Sequence, residues 1–336
     1  MMKVISSIIF LILCFDSSGR LFAQSATVIE AARKEGGKAV VYGSLESDEF
    51  EAIKNAFQNK TGLELEIWRA SGTKTMDRVV SEYRAGKPAY DAVLLNANVA
   101  RLVASQGMLA KYISPAAAGY PKESIDPVLG PSYRNVVIGV VYNKSMINPA
   151  DVPKTFEDIV RPPFKGKIAM PDPSQHLTTT QWLVSLPKII GKERADSFVR
   201  NLAGLKPTFV ESFIPSVERV TGGELPIAIT QVMYAYTYAV KGAPVDYVRF
   251  PKMMGDTHYA LLSNKAPHPN AGKAFIDYLL GDDSLRILAR MGEFVNRKGI
   301  YPPLPDADKI QFVPMENFSI KEYEEKKNAL QKLFTS

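Results

Sequence analysis

The sequence predicts an α/β protein built as two lobes, each a mostly parallel sheet flanked by helices, with a cleft between them. Three observations carry this. Strand and helix alternate three times between residues 39 and 105, which is the pattern of a parallel sheet covered on both faces. The second half repeats the theme without repeating the sequence. The chain has 336 residues, and roughly 313 remain after a leader is removed, past the size at which one core stops growing.

The leader comes first. Lys3 precedes the apolar run Ile5 to Phe15, and Leu21-Phe22-Ala23 offers a small residue for cleavage before Gln24. The run is far shorter than the ~20 residues of a membrane span. Residues 1–23 are therefore expected to be a signal peptide, and the protein to be exported and released as a soluble chain. Cleavage removes the single cysteine, Cys14, so disulfides and thiolate metal sites are excluded from the mature chain.

The elements follow in order. Val28 to Glu35 is expected to be a helix ended by Gly36-Gly37. Ala39 to Tyr42 is a buried strand, turned by Gly43-Ser44. Glu49 to Lys60 places Phe50, Ile53 and Phe57 on one helical face, and Gly62 closes it. Leu63 to Trp68 alternates as a strand, Thr75 to Ala85 is a helix, Asp91 to Leu95 a strand and Val99 to Ser105 a helix. Lys111 to Pro131 is rich in Pro, Ala and Gly and reads as irregular. Val136 to Tyr142 is an almost wholly apolar strand.

Beyond it, Thr155 to Ile159, Thr178 to Leu186, Lys192 to Leu202, Phe213 to Thr221 and Val232 to Val240 read as helices. Lys167 to Met170, Pro226 to Ile229, Val245 to Phe250 and Tyr259 to Leu262 read as strands. Asn270 to Leu280, Ser284 to Met291 and the tail Asn317 to Phe334 are helical. The strands Val136 to Tyr142 and Tyr259 to Leu262 are the expected crossings between lobes. Residues 24–135 with 259–300 would form lobe 1. Residues 136–258 would form lobe 2, with the helical tail 301–336 packed across or onto it.

Several stretches, taken in order, carry a family likeness. They are Val28 to Gly36 before the strand Val40-Val41-Tyr42, Ser71-Gly72-Thr73 ahead of a helix, Lys87 to Val93, and Ile138 to Lys144. Phe164 to Ala169, Asp172-Pro173 and Ala266 to Leu280 continue the series. On these, the chain resembles bacterial periplasmic solute-binding proteins of ABC importers, the type 2 periplasmic binding fold. Within them it is similar to the ferric-iron-binding branch and its relatives that bind phosphonates, sugar phosphates and other anions. The resemblance implies a hinged monomeric receptor that closes on one ligand and delivers it to an inner-membrane permease. It implies no catalysis.

Ligands of such sheets collect at strand carboxyl ends and helix amino ends. That selects Ser44 after the first strand. It selects Arg69, Ser71, Gly72 and Thr73 after the second, where hydroxyls, backbone N–H groups and a guanidinium suit an oxyanion. Arg134, before the crossing strand, is a further partner for negative charge. Ser174 to Thr180 matches the loop where the relatives hold an anion at a helix start. Here it supplies His176, Thr178 and Thr179, but lacks the relatives' glycine.

The iron-binding relatives place two adjacent tyrosines as phenolate ligands where this chain has Tyr234, Tyr236 and Tyr238. On a helix Tyr234 and Tyr238 share a face and Tyr236 points elsewhere. Tyrosines can equally wall an organic ligand, with Trp68, Tyr133, Tyr142 and Trp182 adding apolar surface.

The net charge of +6, the hydroxyls and the arginines favour a small organic anion (carboxylate, phosphonate or sugar phosphate). Ferric iron held by Tyr234, Tyr236 and Tyr238 with a co-bound anion is the alternative, as transported ligand rather than cofactor. No other cofactor is expected. No dense basic tract with interleaved aromatics exists, so nucleic acid is not an expected partner. Gly-x-Ser-x-Gly, the phosphate-binding Gly-Lys-Ser/Thr loop and His-Glu-x-x-His are all missing. An exported lyase or hydrolase is the remaining enzymatic alternative. The acids Glu46, Asp48 and Glu49 are read as helix-start residues, where negative charge is favoured. A receptor that signals through a membrane sensor stays open beside import.

Overall fold

Two long antiparallel strands, running side by side, join the halves of this molecule. The computed structural model describes residues 17–335; most of the expected leader lies outside them. Helix α1 (Ser17–Lys34) leads into β1 (Lys38–Gly43), α2 (Ser47–Thr61), β2 (Glu64–Arg69), α3 (Gly72–Arg84), β3 (Ala92–Asn96) and α4 (Ala97–Ser105). A short strand, β4 (Ile125–Asp126), precedes the first crossing strand, β5 (Gly130–Asn143).

The second lobe contains α5 (Phe156–Ile159), β6 (Ile168–Pro171), α6 (Leu177–Ser185), α7 (Pro187–Ile190) and α8 (Lys192–Gly204). It continues with β7 (Thr208–Val210), α9 (Phe213–Thr221), β8 (Ile227–Gln231), α10 (Tyr234–Ala239) and β9 (Val245–Tyr247). The second crossing strand, β10 (Lys252–Leu262), returns to α11 (Pro269–Leu279), α12 (Asp282–Arg290) and β11 (Phe294–Val295). Strand β12 (Gln311–Pro314) and helix α13 (Ile320–Thr335) end the chain.

The strand order is β2-β1-β3-β10-β5-β8-β6-β7. Pairing within β2-β1-β3 is parallel, as it is within β8-β6-β7. The central β3-β10-β5-β8 pairings are antiparallel. Strands β5 and β10 thus belong to both lobes, and both are longer than sequence reading delimits. The missing stretches, Gly130 to Asn135 and Lys252 to His258, are rich in polar residues, which hide a strand from an apolar-run reading. A register shift between His258 and Tyr259 marks a bulge at the level of the cleft.

Each lobe has its own core. Phe50, Ile53 and Phe57 of α2 pack with Val41, Leu94 and Phe275 on one face of the first sheet. Val79, Val99 and Val103 cover the other face. Strand β3 is buried along its whole length, as a strand covered on both faces must be. The larger core of lobe 2 gathers around Trp182, Phe156 and Phe198. Helix α13 packs on α6 and α8 of this lobe. Gly62 ends α2 in the left-handed region at φ 70°. Gly43 has a different task from the tight turn its sequence position suggests. A Cβ there would lie 2.7 Å from Leu94 Cβ, so β1 and β3 need its missing side chain to end side by side.

Candidate functional site

The strand ends and helix starts of the two lobes meet over the crossing strands. Lobe 1 presents Ser44 and Glu46 at the start of α2 and Asn96 at the start of α4. Lobe 2 presents His176 and Thr178 at the start of α6, and Tyr234 at the start of α10. Asn96 Oδ1 accepts from Val99 N at 3.0 Å and caps α4. His176 caps α6 in the same way, its Nδ1 3.3 Å from Thr179 N, with Phe213 edge-on to its ring.

Tyr234 and Glu46 touch across the cleft. The Tyr234 hydroxyl donates to Glu46 Oε1 at 3.0 Å. The other carboxylate oxygen of Glu46 accepts from Arg69 Nη2 at 2.5 Å, while Arg69 Nε donates to Leu45 O at 2.9 Å. Burial and the neighbouring Glu46 hold the Tyr234 phenol well above its ordinary pKa. It is therefore a neutral donor in this arrangement.

Beneath this pair lies a buried charge cluster. Arg134 on β5 is 3% exposed. It pairs with Glu293 and stands 3.6 Å from Glu49. Burial and Glu293 push the Glu49 carboxyl well above the usual range, against the pull of Arg134. A second bridge is made by Asp256 of β10. Its Oδ2 accepts from Asn96 Nδ2 of lobe 1 at 3.1 Å and from Thr178 Oγ1 of lobe 2 at 3.4 Å. One carboxylate therefore ties both lobes to the crossing strand.

Several expected ligand residues have partners within the protein, and others stand exposed. Arg69 and Arg134, expected to meet an anion, are both committed to carboxylates of the protein itself. Ser71, Gly72 and Thr73 are exposed, and Ser71 Oγ caps α3 at Lys74 N. Thr179 is 1% exposed, its hydroxyl 2.9 Å from His176 Nδ1. Tyr238 stands edge-on to Tyr234 with ring centroids 6.1 Å apart. Tyr236 and Tyr238 both pack against the core of lobe 2, in which Tyr234 is buried. Trp182 and Tyr142 belong to that core. Tyr133 is buried in lobe 1 with the core around Phe57. Trp68 packs on Tyr42 under the Arg78 guanidinium.

Glu46, Glu49, Asn96, Asp256 and Glu293 are the residues that sequence reading misses as cleft residues. Glu46 and Glu49 carry a signal, because they open the helix that follows the first strand. Asp256 and Glu293 carry none. With Glu46 and Glu49 they make four carboxyl groups in the region of the two guanidiniums of Arg69 and Arg134, three of them paired with an arginine. The cleft is acidic, although the chain as a whole is basic.

A two-lobed α/β architecture with helix starts and a cross-lobe contact over a two-strand hinge defines a ligand-capturing receptor. The model of the bacterial extracellular solute-binding protein family matches residues 40–292, and the chain belongs to that family. Its members are the binding components of ABC importers and pass ligand to a permease. No helix among the described residues is long and apolar enough to cross a membrane.

Solved structures share the periplasmic binding fold. Iron-bound HitA from Pseudomonas aeruginosa is 18% identical with a TM-score of 0.71, covering 89% of this chain and 98% of its own. AfuA from Actinobacillus pleuropneumoniae, with fructose-6-phosphate bound, is 16% identical with a TM-score of 0.70, covering 89% and 97%. The substrate-binding protein of an ABC transporter from Agrobacterium tumefaciens is 16% identical with a TM-score of 0.79, covering 88% and 94%.

Proposed function

We propose that this receptor captures ferric iron in the cleft, with Glu46 and Tyr234 as oxygen donors from opposite lobes and a small anion completing the coordination shell. The observation that carries the reading is the cross-cleft carboxylate–phenol contact in an acidic setting. Carboxylate and phenolate oxygens are hard donors suited to a trivalent cation. The acidic surroundings that keep the Tyr234 proton in place also favour a cation that displaces it. The two arginines, already neutralised, offer little to an anion arriving alone. Ligand contacts to both lobes would shift the population toward the closed form that a permease reads.

Visible absorption and native mass spectrometry during titration with ferric citrate test this. The expected result is a tyrosinate-to-iron band that Tyr234→Phe abolishes and Glu46→Gln weakens. A colourless protein, or a band untouched by Tyr234→Phe, overturns it.

One observation favours a second reading, capture of a small organic anion. Tyr234 and Glu46 are only two protein donors, fewer than a bare ferric ion fills. Retention of citrate without iron in the same titration supports that reading instead.

A further inference from the structure

Arg134 and His258 face each other across the crossing strands, and so do Asn135 and Thr257. Successive side chains on a strand point to opposite sides. Asn135 and Thr257 therefore lie on the side away from the charge cluster of Arg134. On their side a cavity of about 510 Å³ opens, between the helices α4 and α6 and the segment from β12 to Asn317. That volume falls within the range of small-molecule sites.

The lining is built rather than incidental. Asn135 Nδ2 donates to Asn296 Oδ1 at 2.6 Å, Asn296 Nδ2 to Ser132 Oγ at 2.7 Å, and Thr257 Oγ1 to Asn135 Oδ1 at 2.8 Å. This chain of amides and hydroxyls is held rigid along the floor. Gln181 of α6 is 1% exposed and lines the cavity. Its Nε2 donates to Glu316 O at 2.8 Å, which fixes the amide, while its Oε1 is buried without a partner. A buried acceptor left unpaired is destabilising and points to a donor that belongs there.

The two rim cations are already paired, and the Asp256 carboxylate in the lining accepts from Asn96 and Thr178. Arg101 pairs with Asp126, and Lys188 stands 3.6 Å from Glu316 and donates to Pro314 O at 2.9 Å. Phe312 adds an apolar ring to the lining.

From this we propose a second ligand site at the hinge, which takes a neutral polyhydroxylated molecule the size of a monosaccharide. Amides, hydroxyls and the Asp256 carboxylate match sugar hydroxyls as donors and acceptors, an aromatic ring suits the apolar face of a sugar, and both rim cations are already paired and so offer little to an anion. Lobe 1 supplies Ala97 and Arg101, and lobe 2 supplies Gln181 and Lys188. An occupant would thus touch both lobes and bias the hinge. The site does not depend on what binds at Glu46 and Tyr234.

Saturation-transfer NMR and calorimetry with D-glucose and myo-inositol test the proposal, with glucose 6-phosphate as the charged comparison. The expected result is saturable binding of a neutral probe. Gln181→Leu should weaken it about tenfold, the equivalent of one hydrogen bond of about 1.4 kcal/mol. Asn317→Leu, a change at an exposed position, should weaken it while leaving the melting temperature at the wild-type value. This second variant separates loss of binding from loss of folding. Absence of saturable binding by both neutral probes overturns the proposal. So does binding that survives both substitutions, and so does a preference for glucose 6-phosphate over glucose.

Discussion

The hydroxyl of Tyr234 and the carboxylate of Glu46, 188 residues apart in sequence, meet at 3.0 Å across the cleft. Neither needs the other for its own lobe to fold. Tyr234 starts a helix of lobe 2, and Glu46 is the cap position of a helix in lobe 1. The contact joins the two lobes, beside the bridge that Asp256 makes to Asn96 and Thr178. Tyr234→Phe removes this bond while keeping the ring. It should lower the closed-to-open ratio two- to tenfold, the effect of one hydrogen bond worth about 0.5–1.5 kcal/mol. Small-angle scattering on the ligand-free protein reads this as a larger radius of gyration; an unchanged radius means that the bond does not hold the lobes together.

Arg134 should be far more costly to lose. Arg134→Met leaves Glu49 and Glu293 buried without their shared cation. Breaking a buried pair from one side typically costs 3–5 kcal/mol, and chemical denaturation should show a loss of about that size. A loss below about 1 kcal/mol would mean that water reaches these carboxyls.

His176 sets a pH limit. Burial lowers its pKa to about 4, with Asp256 pulling the other way, from an ordinary value of 6.5. The folded form therefore holds it neutral, while the unfolded chain takes up a proton below pH 6.5. Its contribution is fully present above pH 6.5 and is lost as the pH falls toward 4, by up to about 3 kcal/mol. Melting temperatures of wild type and His176→Asn should converge or cross over that window. Parallel curves would show that His176 is protonated in the fold.

Gly43→Ala should destabilise lobe 1 by about 1–3 kcal/mol through overpacking. The added methyl would sit 2.7 Å from Leu94 Cβ and 3.2 Å from a ring carbon of Phe50. Neither is a freely movable side-chain tip, since both lie in the core. Urea denaturation of the variant measures this, and a neutral result would show that β1 and β3 can spread without cost.

Much of the frame is legible in the order of residues alone. The parallel order of the first lobe follows from short apolar runs separated by amphipathic helices, and these are local patterns. The helix Phe213–Thr221 has the bounds its apolar spacing predicts. The short strands β7, β11 and β12 are not legible. They have two to four residues each, too few for periodicity to show, and exist because a neighbouring strand offers them hydrogen bonds.

An α/β chain of binding-protein type follows from the sequence without help, because strand and helix patterns are written in neighbouring residues. Which charges pair within the protein is decided in three dimensions. Arg69 and Arg134 look like anion partners in a basic chain. Their fates depend on Glu46 and on Glu293, the latter 159 residues from Arg134. Ion pairing is set by distance in space, and no local pattern records that the fold delivers a carboxylate to each arginine.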